Sequence, residues 1–151
     1  MQQIDVTIAK LRLLLADIAG KETHYTALRR QFADQRRKIV EFGVYGDAGL
    51  DATLGLMSEV QQRLELTEST LRDLEAIKTR AARELESLQL TKRIEQAKAE
   101  LRDLLVRQAQ LEAEGPLGAT DPDLVQQIEA LRHQIALQSE QAARTIAPRG
   151  A

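Results

Sequence analysis

The sequence predicts an all-α protein, an elongated antiparallel coiled coil or helical bundle of three helices with a long central helix. Three observations carry this. Ala, Glu, Lys, Leu, Arg and Gln dominate, while aromatic residues make up only 3 %, a profile of long helices rather than of a compact globule centred on rings. Apolar residues recur every seven positions over most of the chain. Glycine and proline gather at two places, which divide the chain into helix 1 (about 3–42), a bend (43–53), helix 2 (about 54–114), a loop (115–121), helix 3 (about 122–147) and a tail (148–151). At 151 residues these form a single helical module.

Helix 1 is read from Ile4, Leu11, Ile18, Tyr25, Phe32 and Ile39, one row at a spacing of seven. A second row starts with Ile8 and Leu15 and turns polar at Glu22, Arg29 and Arg36. Gly20 falls on the outer face, where glycine costs about 1 kcal/mol against Ala. Helix 2 carries Met57, Leu64, Leu71, Lys78 and Leu85 in one row, with Val60, Thr67, Leu74, Ala81 and Leu88 in the other. After Leu88 the pattern slips by about one residue and resumes as Ile94, Ala97, Leu101, Leu104, Gln108 and Leu111. No Gly or Pro marks the slip, so the helix is read as continuous, roughly 85–90 Å long at ~1.5 Å per residue. Gly115 and Pro116 end it. Thr120 or Asp121 caps helix 3, Pro122 begins it and Asp123 suits its positive end. Leu124, Ile128, Leu131 and Ile135 form its seam.

Folding helix 1 back on helix 2 with paired positions summing to 96 sets Phe32 on Leu64, Tyr25 on Leu71 and Ile8 on Leu88. Glu22 then has Lys78 as its neighbour, one layer away. Helix 3 folds onto helix 2 with a sum near 232, Ile128 on Leu104 and Leu131 on Leu101. The slip sits where one partner helix hands over to the other.

The stretch "EFGVYGDAGLDATLGLM", residues 41–57, holds four of the eight glycines. As a calcium loop starting at Asp47 it fails. The sharp-turn position is Ala52 rather than Gly, and the bidentate position is Ser58, with Glu59 one residue late. No "GK[ST]" follows, which excludes a phosphate loop. It is read as a bend, with Val44, Tyr45 and Leu50 capping the open end of the seam. His24 and His133 lack a second histidine at i,i+4 spacing. With no cysteine, thiolate sites, disulfides and a Cys nucleophile are excluded. The expected catalytic, metal and cofactor sites are therefore none, and the protein is not an enzyme.

Two features remain. The basic run "RRQFADQRRK" spans residues 29–38. Arg29, Arg30, Arg36, Arg37 and Lys38 would be phosphate contacts on a nucleic acid. Alternatively, Arg29 and Arg36 form interhelical ion pairs with Glu59, Glu65 and Glu68 that fix register, in a helix end suited to positive charge. The second feature is apolar excess. Leu13, Leu14, Leu90, Leu105 and Val106 lie outside the paired rows and point to a protein partner. The expected function is a non-enzymatic structural or adaptor protein that self-associates or docks onto a helical partner. The alternatives are a nucleic-acid-lining subunit and a peripheral lipid-surface protein. The net charge of −2 gives no bulk attraction to either polyanion. Asp5, Lys10, Arg12 and Asp17 break the N-terminal apolar run, no stretch approaches a membrane span, and the expected location is cytoplasmic.

Overall fold

The computed structural model describes residues 2–47, 49–114 and 121–146. Of these, 97 % are helical, with no strand among them, so the all-α class holds. Three helices follow one another: α1 (Gln2–Tyr45), α2 (Leu50–Glu114) and α3 (Pro122–Ile146). The expected loop at 115–121, save Asp121, and the tail at 148–151 lie outside the described residues, as does the cap candidate Thr120.

The break between α1 and α2 is shorter than expected. α1 runs to Tyr45 and α2 begins at Leu50, so Gly43, Thr53 and Gly55 are helical. Gly46 follows the last residue of α1 and closes its final turn, its N–H donating to the Phe42 carbonyl at 2.7 Å. A Cβ there would stand 2.5 Å from that same carbonyl oxygen, so only glycine fits. α3 opens as expected. Asp121 caps it, its Oδ1 accepting the Asp123 N–H at 3.1 Å and its carbonyl accepting the Val125 N–H at 3.1 Å.

The chain divides into two compact units. One of them is continuous in sequence and spans Leu11–Ala82. Along α2 its buried positions are Thr53, Val60, Thr67, Leu74 and Ala81, one every seven residues. Ile18 is buried on α1, while Tyr25, Phe32 and Ile39 are half-buried. The two threonines sit in this row because each hydroxyl donates back along its own helix. Thr53 Oγ1 reaches the Gly49 carbonyl at 3.1 Å and Thr67 Oγ1 the Arg63 carbonyl at 2.8 Å. That leaves no hydroxyl unpaired in an apolar seam. Two cross-helix contacts tie α1 to α2. Gly43 lies against Thr53, and Lys78 Nζ donates to Glu22 Oε2 at 3.4 Å. Glu22 Oε1 is as close to Lys78 but accepts no hydrogen bond. Such a half-exposed pair adds little net stability and instead penalises wrong registers.

The other unit comprises Met1–Lys10 and Arg83–Ala151. On α3, Leu124, Ile128 and Ala142 are buried, and Leu131, Ile135 and Gln138 are half-buried between them. The spacing alternates four and three, as a helix that presents one seam requires. On α2 the buried residues are Leu90, Ile94 and Ala97. Leu90 and Ile94 cluster with Ala142. Ile8 is buried on α1, and Asp5 pairs with Lys92 at 2.6 Å.

Gly20 stands exposed inside α1 with open space where a Cβ would be. The expected result of Gly20→Ala is a gain of about 1 kcal/mol, from helix propensity and the lost freedom of the unfolded chain. Denaturant titration checks it, and an unchanged or lowered midpoint would show that the glycine serves a contact.

Candidate interaction surface

Two open grooves lie between α2 and α3. One, of about 350 Å³, lies over Gln89, Leu90, Arg93 and Gln141. The other, of about 470 Å³, lies over Asp103, Leu104, Gln127 and Leu131. Among the described residues no group of three His, Asp or Glu side chains is placed to hold a metal ion. His24 and His133 are both exposed, and His24 meets Tyr25 edge to face at 5.2 Å. Asp47 lies in the break and Asp51 in the first turn of α2.

The apolar candidates separate. Leu13 is 71 % exposed, and Leu14 and Val106 are also exposed. Leu105 is half-buried. Leu90 is not a surface residue: it is 7 % exposed and packs with Ile94 and Ala142. The sequence spacing sets it outside the row of Leu88. The structure takes Leu90, not Leu88, into the buried row.

The basic run resolves differently from the ion-pair expectation. Arg29, Arg30, Arg36, Arg37 and Lys38 are all exposed. Among the described residues no ion pair joins Arg29 or Arg36 to Glu59, Glu65 or Glu68. Arg37 instead pairs with Asp34 on its own helix at 3.1 Å. Nor does the helix dipole account for the run. The last turn of α1 holds no basic residue, and the dipole's influence fades within one turn.

No protein-family model, curated protein or solved structure matches this chain.

The surface that sequence reasoning missed lies at the facing ends of α1 and α2. Val44, Tyr45 and Leu50 were expected to close the seam. They are 68 %, 88 % and 74 % exposed. Val40, Phe42, Leu54 and Leu56 are exposed as well. Seven large apolar side chains thus crowd 17 residues of sequence around the break. The sequence signal is the density of apolar residues on both sides of the glycines, which equally suits a hydrophobic plug for a bend. No helix among the described residues is long and apolar enough to cross a membrane.

Proposed function

We propose that this chain is a non-enzymatic helical interaction protein of the cytoplasm, an antiparallel coiled coil that works by docking apolar helix surfaces onto protein. The observation that carries the reading is the exposure of large apolar side chains on helices whose own seams are already filled. Leu13 and Val106 stand outside the rows that bury Ile18, Val60 and Leu74, or Ile94 and Ala97. Isolated exposed leucines are ordinary, but stripes widened beyond a seam mark a partner surface. The antiparallel arrangement is supported by the Gly43–Thr53 and Glu22–Lys78 contacts. Moving back along α1 from residue 43 to 22 matches moving forward along α2 from 53 to 78.

A second reading is favoured by the exposure of the five basic side chains at 29–38, which leaves them open to phosphates. The balanced net charge weighs against it.

One experiment separates the two. In the interaction reading, Leu13→Ala, Leu14→Ala and Leu105→Ala together weaken assembly or partner capture, read by light scattering, with helicity intact. Arg30→Glu with Arg37→Glu leaves folding and assembly within about 1 kcal/mol, since exposed charges contribute little. In the nucleic-acid reading the arginine variant loses binding, and the salt dependence flattens by close to two units of slope. Retained assembly in the leucine variant, with nucleic acid released from the arginine variant, would overturn the proposal.

A further inference from the structure

The seven exposed apolar residues around the α1–α2 break have no role in the seam. Four of them, Val40, Val44, Leu50 and Leu54, together expose the equivalent of about two fully exposed side chains, on the order of 350 Å² at roughly 150 Å² each. That is the size of the largest apolar patch on an ordinary monomer, which is often a functional surface. Val40 and Val44 are spaced i,i+4 on α1, and Leu50 and Leu54 are spaced i,i+4 on α2, so each helix carries a short apolar stripe. With Gly43 set against Thr53, helical periodicity brings both stripes to the same side of that contact.

Charge selects the occupant. Glu41, Asp47 and Asp51 sit among the apolar residues, and Arg36, Arg37 and Lys38 follow behind them, all exposed. An anionic lipid surface would attract the basic set but repel the acidic set that reaches it first. A second copy, inverted, meets both requirements. Arg36–Lys38 lie seven to nine residues before Tyr45, which is about 10–14 Å along the helix. Overlapping two inverted breaks by about 12 Å therefore brings Asp47 of each copy level with Arg36 and Arg37 of the other. The same overlap sets the two-fold axis near residues 40–44. Val40 and Val44 then meet Val44 and Val40 across it, the self-complementary contact that two-fold symmetry demands.

We propose that the α1–α2 break is a self-association site. Two copies overlap head to head through Val40, Val44, Leu50 and Leu54, with Asp47 paired across the axis to Arg36 and Arg37. This rests on the interaction reading above and names its partner as the same chain.

The test uses the full chain in sedimentation velocity over a concentration series. The unaltered chain shows a concentration-dependent dimer. Val44→Ser with Leu50→Ser and Leu54→Ser, all at exposed positions, leaves the circular dichroism unchanged and raises the dimer dissociation constant at least tenfold. Asp47→Arg and Arg36→Asp each weaken the dimer, and the two together restore it. The chain has no cysteine, so mixing a Val40→Cys chain with a Val44→Cys chain sets one thiol of each opposite the other across the axis. Under mild oxidation this mixture cross-links, whereas Glu75→Cys, at an exposed position far along α2, does not. A dimer kept by the serine variant but lost on truncating Leu13, Leu14 and Leu105 would overturn this site and leave the interaction reading standing. A chain that is monomeric at all concentrations and captures no protein partner would overturn both. A monomer that sediments with phosphatidylserine vesicles through the break would replace the second copy with a lipid surface, and so also overturn the proposal.

Discussion

Leu90→Ala is expected to destabilise the unit that contains α3 by about 2–5 kcal/mol, the range for emptying a packed leucine site. Leu13→Ala should be nearly silent in the same measurement. Both residues look alike in the sequence, each a leucine beside a heptad row. The structure leaves Leu90 only 7 % exposed, against Ile94 and Ala142, and Leu13 71 % exposed. Ala142 is small, so nothing on α3 can swell to refill the gap, and the cavity term should persist. α3 has few other buried anchors, chiefly Leu124 and Ile128. Loss of Leu90 should therefore appear first as faster amide hydrogen exchange over the second half of α3. A denaturant titration gives the total, and exchange gives its location. Equal, small effects at the two leucines would mean that Leu90 is a surface residue after all.

The contrast shows where a sequence is legible. Within one uninterrupted seam, period alone identifies the buried row. Val60, Thr67, Leu74 and Ala81 keep their spacing of seven, and all four are buried. Leu124, Ile128, Leu131 and Ile135 were readable on α3 for the same reason. Even the Glu22–Lys78 pair followed from register. The pattern becomes ambiguous at the slip, because Leu88 and Leu90 continue it equally well and only the neighbouring helix decides. The basic run was ambiguous for a different reason. Ion pairing depends on side-chain direction as well as register, and Arg29 and Arg36 point into solvent. Around the break, the sequence assigns Val44, Tyr45 and Leu50 to closing the seam, whereas all three are exposed. Exposure depends on how far two helices extend past their last shared layer, which no periodicity encodes. Function was the least legible, since a docking surface made of Val and Leu has no motif that sets it apart from a core.

The second large effect is expected at Gly43, which the sequence assigns to the bend. Glycines near a bend suggest a backbone that needs positive φ. Gly43 instead lies within α1, and what requires glycine is the neighbouring helix. A Cβ at this position would stand 2.5 Å from Thr53 Cγ2 and 3.1 Å from Thr53 Oγ1. Thr53 cannot easily move aside. It is 6 % exposed, its β-branched side chain is stiff at χ1, and its hydroxyl is held by the Gly49 carbonyl at 3.1 Å. Relief therefore has to come from separating the helices, and overpacking of this kind costs roughly 1–3 kcal/mol, occasionally more. For Gly43→Ala, helix propensity returns about 1 kcal/mol of that, leaving a net loss of up to about 2 kcal/mol. Gly43→Val adds two further carbons against the same wall and should lose about 3 kcal/mol. The cause is tested by a double-mutant cycle. Thr53→Ala removes the two nearer of the three Thr53 atoms that an added Cβ would crowd, leaving only Thr53 Cβ at 3.3 Å. If close approach is the reason for the glycine, Gly43→Ala made in the Thr53→Ala background should cost nothing or stabilise. The coupling energy should then exceed 1 kcal/mol, well above the scatter for independent sites. Additive effects, or a Gly43→Ala variant that unfolds at a higher temperature than the parent, would show that α1 and α2 do not meet closely at this pair.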